Sequence, residues 1–180
     1  MEWKKFNMSN LRLLNQTDVT SASQINITDV FTSDFDIYKI EFDYSFDATS
    51  NISARLINSS GSAVSTANYD FAYLQTRTDT SFSEGRGTGS TNFYYLGSST
   101  AGSTLGGGTI LYILNPFSTS SYTFMIYQNS GSYSSSTALG YKGIAILKEN
   151  SSITGFQLDT LTTNNFTNTK IRTYGLRVDS

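Results

Sequence analysis

The chain has 180 residues, a formal charge of −2, and neither His nor Cys. Those absences exclude disulfide scaffolds, thiolate metal sites, thiol nucleophiles and the imidazole base of the usual hydrolytic triads. Lys plus Arg number 12 against 14 Asp plus Glu, so no basic excess recommends nucleic acid as a partner.

Read from the start, residues 1–10 are expected to be an N-terminal arm and residues 11–180 a single domain. The opening Met1-Glu2-Trp3-Lys4-Lys5-Phe6 lacks the apolar core of a secretory signal. Residues 11–14 and 25–30 are weak strand candidates. Residues 38–46 are a strong one: Tyr38, Ile40, Phe42, Tyr44 and Phe46 share one parity, and Lys39, Glu41, Asp43 and Ser45 the other. This period of two marks a strand with one buried and one wet face. Ile52, Ala54 and Leu56 continue the pattern against Ser53 and Arg55, and Asn58-Ser59-Ser60-Gly61 ends it with good turn formers.

Residues 69–74 carry Tyr69, Phe71 and Tyr73 on one face. Residues 76–91, with Arg77, Asp79 and Glu84-Gly85-Arg86-Gly87, read as a long polar loop, and residues 97–109, with Gly106-Gly107-Gly108, as another. A short aromatic strand over residues 93–96 separates them. Residues 110–114 and 144–147 are apolar on both parities, as strands covered on both faces would be. The former is the longest purely apolar run, far short of a membrane helix, so no membrane insertion is expected. Residues 122–127, 153–158 and 171–178 complete the strands.

Ser and Thr together make up roughly 29% of the chain, a content that by count alone could signal disorder. The alternation and the 12 Tyr and 12 Phe decide against it. No helical apolar stripe is present, so the expected fold is all-β: an antiparallel β-sandwich, of jelly-roll or Greek-key type, with long polar loops.

Few groups offer chemistry. Glu41 and Asp43 lie two apart, roughly 6–7 Å along a strand, a distance open to a glycosidase pair. An ion-paired strand face, with Lys39 beside them and Arg55 opposite, is the stronger reading. Asp34-Phe35-Asp36 has too few further oxygen ligands for a calcium loop, and no metal or cofactor is expected. Residues 85–89 lack the Gly-Lys-Ser/Thr ending of a phosphate-binding loop. Asn-x-Ser/Thr acceptors, such as those at Asn26, Asn51, Asn58 and Asn150, are no more frequent than a Ser/Thr-rich chain brings by chance. The candidate contact residues are Arg77 and Arg86, for a partner's carboxylates, and Tyr94, Tyr95 and Tyr133, for sugar stacking or subunit packing.

Several segments carry a resemblance. Asp34-Phe35-Asp36-Ile37-Tyr38-Lys39-Ile40, Leu56-Ile57-Asn58-Ser59-Ser60-Gly61-Ser62 and Tyr112-Ile113-Leu114-Asn115-Pro116 are three of them. Gly140-Tyr141-Lys142-Gly143-Ile144 and Ile171-Arg172-Thr173-Tyr174-Gly175-Leu176-Arg177-Val178 are two more. From about Leu11 onward the chain resembles virion structural or fibre-like surface proteins of marine tailed phages, including those of cyanobacteria. The resemblance implies a non-enzymatic virion protein, a tail-fibre component or head decoration, assembled in host cytoplasm. The implied partners are other virion proteins, and a host surface glycan is a further one. Open sheet edges and charge-poor faces add the expectation of a homo-oligomer, with a trimer preferred. The alternative is a carbohydrate-binding module or adhesin using the loop tyrosines.

Overall fold

The computed structural model describes residues 10–79, 82–101 and 106–176. The expected arm at residues 1–10 falls almost wholly outside the described residues, as do residues 177–178 of the last expected strand and parts of both expected loops. Among the described residues twelve strands form: β1 (Leu11–Val19), β2 (Gln24–Ile27), β3 (Ile37–Tyr44), β4 (Ser50–Asn58), β5 (Tyr69–Arg77) and β6 (Ser83–Ser90). Then come β7 (Phe93–Ser99), β8 (Gly107–Leu114), β9 (Thr123–Ser134), β10 (Thr137–Leu147), β11 (Ile153–Thr160) and β12 (Thr169–Leu176).

They make two antiparallel sheets, β1-β12-β3-β8-β9-β10-β5-β6 and β2-β11-β4-β7. Within this order lies a jelly roll. Its sheets are β1-β12-β3-β8 and β2-β11-β4-β7, the chain wrapping back and forth between them. The hairpins β5-β6 and β9-β10 are additions that widen one sheet from four strands to eight.

The core lies between the sheets, where the inward parity of β3 (Tyr38, Ile40, Phe42 and Tyr44) meets Ile52, Ala54, Leu56, Phe156 and Leu158 of the smaller sheet. Rings pack on rings: Phe31 lies 4.6 Å from Tyr38, and Phe46 lies 5.4 Å from Phe166. Buried hydroxyls are used. Tyr69 Oη accepts the Leu56 N–H at 2.9 Å and donates to the Val64 carbonyl at 3.2 Å. The expected turn forms around Asn58, whose Oδ1 accepts from Ser60 and Ser62 N–H, with Gly61 at φ 77°.

Three expectations are corrected. Residues 76–91 are chiefly strand: β6 pairs with β5 as a hairpin. Its inward positions are glycines because rings of β5 occupy the space. Tyr73 lies over Gly85, and a Cβ at Gly87 would sit 2.6 Å from the Phe71 ring. Residues 97–109 are likewise shorter as a loop, β7 running to Ser99 and β8 starting at Gly107. Finally, among the described residues, 110–114 and 144–147 are covered on one face alone. Leu111, Ile113, Ala145 and Leu147 are buried, whereas Ile110, Tyr112 and Ile144 are exposed.

Candidate contact sites

Two surfaces stand out, on different sides of the larger sheet. The first lies on its inner side, where the added hairpins extend past the smaller sheet. β7 carries a bulge there: its register to β4 shifts between the Ile52–Gly97 and Ser53–Tyr94 pairs. Tyr95 occupies the bulge at φ 64°, a left-handed conformation that costs a bulky residue about 1–3 kcal/mol.

Side chains of the larger sheet hold the bulge in place. Tyr127 Oη donates to the Tyr94 carbonyl at 3.0 Å, Asn129 Nδ2 to the Tyr95 carbonyl at 2.9 Å, and Thr109 Oγ1 to the Leu96 carbonyl. Ser98 N–H donates to Tyr44 Oη at 3.1 Å. Polar residues buried between the sheets thereby take up backbone groups that the bulge removes from the ladder.

So fixed, Tyr95 packs 4.7 Å from Tyr73 and 5.0 Å from Tyr141, and those two meet edge to face at 5.4 Å. Burial raises the phenol pKa of Tyr141, and raises that of Tyr73 to about 12. Gln75 secures the far ring, donating to Tyr141 Oη at 2.9 Å while accepting from Ser83 Oγ at 2.7 Å. The rings wall a cleft of about 320 Å³.

The expected contact residues divide between the two surfaces. Tyr95 and Tyr133 share this cleft. Arg77 stands next to it, its guanidinium 3.8 Å from the centre of the Tyr133 ring and ion-paired with Asp79 at 2.7 Å. That partner holds the Asp79 carboxyl below its ordinary pKa and the Arg77 guanidinium above its own. Tyr94 points away from the cleft and packs edge-on to Phe71 at 5.3 Å. Tyr94 and Tyr95 therefore belong to a strand bulge, half-buried, and not to a loop. Tyr73, Tyr141, Gln75 and Asn129 are the residues that sequence reasoning missed. A tyrosine facing each other along an alternating strand gives no sign of standing beyond the covering sheet.

The second surface is the outer face of the larger sheet. Register places Tyr112, Ile126, Ile144 and Ala72 in one row across β8, β9, β10 and β5. Phe124, Ile110 and Leu74 flank the row, and Ile126 and Ile144 are 45% and 60% exposed. Charges rim the patch on both sides. Arg86 and Glu84 lie opposite Ala72 and Leu74 on β6, and Glu41, paired with Lys39, lies opposite Ile110 on β3. Asp43 accepts the Lys170 N–H at 2.8 Å, so both carboxylates of the conjectured glycosidase pair have partners on an open strand face.

Arg55 is not opposite them. It lies on the outer face of the smaller sheet, bonded to Asp159 at 3.1 Å and to Gln157 at 3.2 Å. Gln24 donates to Asp159 and Gln157 to Asn26, each at 2.8 Å. The two outer faces thus contrast: one is a linked polar network, the other an apolar patch. Among the described residues no group of acidic side chains could hold a metal ion, Asp34 and Asp36 included.

No protein-family model matches the chain, and no curated protein matches it. Among solved structures, it has a likeness to infectious bursal disease virus, Gx strain, at 11% identity and a TM-score of 0.14. The alignment covers 94% of this chain and 39% of that one. At that score the likeness carries no argument.

Proposed function

We propose that this chain is a non-enzymatic structural protein of a phage particle, a tail-fibre component or head decoration that works by subunit contact. The observation that carries the reading is the apolar outer face of the eight-stranded sheet. Sequence pattern expects β8 and β10 to be covered on both faces, and the described residues cover one. The occupant we assign to the other is a second copy of the chain.

Three features support a like partner. The patch is rimmed by both signs, Lys39, Glu41 and Arg172 on one side and Glu84 and Arg86 on the other, while Lys142 stands within the face between Gln128 and Leu74. Because each rim carries both signs, a copy of the same face can set carboxylates against cations. The net charge of −2 adds little long-range repulsion. From β3 to β6 the face spans six strands, roughly 24 Å at about 4.8 Å per strand. Over the strand lengths this is of the same order as the ~800 Å² per partner of a stable interface. A face that meets its own copy makes a two-fold, isologous contact, so the assembly this face builds is a dimer rather than the trimer preferred from the sequence.

Placement on a virion rests on the segments that resemble marine phage surface proteins. Jelly rolls serve capsids and lectins alike, so the fold does not choose between assembly and sugar binding. The test is electron microscopy of purified particles encoding the chain, labelled with an antibody against it. Label at regular positions on head or tail is expected. Particles that carry no label while the host lysate contains the protein would refute the assignment.

A further inference from the structure

The geometry points to the tyrosine cleft between β5, β7, β9 and β10 as a binding site for a neutral saccharide, independent of the outer-face contact. Its walls are ring faces and edges of Tyr73, Tyr95, Tyr133 and Tyr141, and its rim is hydroxyl and amide, including Asn51 and Thr100. Among the described residues, no Asp, Glu, Lys or Arg lines it. The nearest cation described above, Arg77, is matched by Asp79 and stacked on Tyr133.

This chemistry selects its ligand. A sugar ring presents C–H groups to an aromatic wall and hydroxyls to amides and hydroxyls around it. An anion would find no unpaired cation, and a purely apolar molecule would strip water from the rim without replacing its hydrogen bonds. At about 320 Å³ the cleft stands at the small end of ligand pockets, fit for one sugar ring or a disaccharide.

One further observation separates the cleft from ordinary packing: Tyr95 holds its ring there at the cost of a left-handed backbone, where glycine would be unstrained. The clamp from Tyr127, Asn129 and Thr109 keeps that ring in position before any ligand arrives.

Saturation-transfer NMR with glucose, galactose, mannose, N-acetylglucosamine and their disaccharides tests the site, with glucuronic acid as an anionic control. At least one neutral sugar is expected to bind at millimolar affinity or better, and glucuronic acid not at all. Tyr133→Ala removes a half-exposed ring and should weaken binding roughly tenfold with its melting temperature unchanged. Tyr95→Gly keeps the bulge conformation, removes the second ring and should weaken binding likewise, at a lower melting temperature because that ring packs on Tyr73 and Tyr141. Ile144→Glu, on the outer face, should bind sugar as the parent does. Absence of binding by every neutral sugar, stronger binding of glucuronic acid, or undiminished binding in both tyrosine variants would overturn the proposal.

Discussion

Asn129 shows how much one side chain settles in this molecule. Buried on the inner face of β9, it donates to the Tyr95 carbonyl and accepts the Tyr141 N–H at 3.1 Å. It thereby joins the bulge of one sheet to a strand of the other. Asn129→Ala leaves two buried backbone groups without partners, and each such loss costs about 1–3 kcal/mol. The variant should unfold at a clearly lower urea midpoint with an unchanged m-value; a midpoint equal to the parent's would remove the clamp from the account. Tyr69→Phe is expected to cost about 1–3 kcal/mol for a like reason, since the Leu56 N–H is left buried and unbonded. Neither role was legible in the sequence. An isolated Asn reads as a turn former, and a Tyr on a buried parity reads as core, because a hydrogen bond across a sandwich has no fixed sequence spacing.

At the scale of elements, legibility followed the side chains that a strand presents. β3 was plain because aromatic and charged residues alternate along it. β6 was opaque because its inward residues are glycines and a β5 ring fills the place of their side chains. The same device recurs at Gly97, where a Cβ would lie 2.6 Å from the Tyr44 ring and 2.8 Å from Ile52, and at Gly175 beneath Phe35. Overpacking of this kind costs about 1–3 kcal/mol. Gly97→Ala should therefore lower the melting temperature by several degrees, whereas Ser90→Ala on the edge strand should leave it within a degree or two. β8 and β10 were recognised as strands but assigned cover on both faces. Their outward Ile110, Tyr112, Ile144 and Ile146 follow the residue pattern of a buried sheet, and that mismatch is what marks the outer face as a contact surface.

For the whole molecule, the absence of His and Cys leaves no side chain that ordinarily titrates near neutrality. Burial holds the phenols of Tyr38, Tyr44, Tyr69, Tyr73, Tyr127 and Tyr141 above their ordinary pKa. The unfolded chain then ionises first, so their contribution is complete below about pH 10 and is lost as pH rises beyond it. At the other end, hydrogen bonds from Asn165, Lys148 and Arg77 lower the carboxyl pKa of Asp47, Asp70 and Asp79 respectively. Their contribution is present above about pH 4 and fades as pH falls through the depressed values. Melting temperature should accordingly be flat between about pH 5 and 9 and fall on both sides; a step near pH 6–7 would contradict this. The central claim, that the apolar outer face meets a second copy, is tested most directly by light-scattering chromatography at micromolar concentration. The parent chain should elute as a multiple of 19.8 kDa, and Ile126→Glu with Ile144→Glu should convert it to a folded monomer. A parent that is monomeric, or an oligomer that survives both substitutions, would contradict the account.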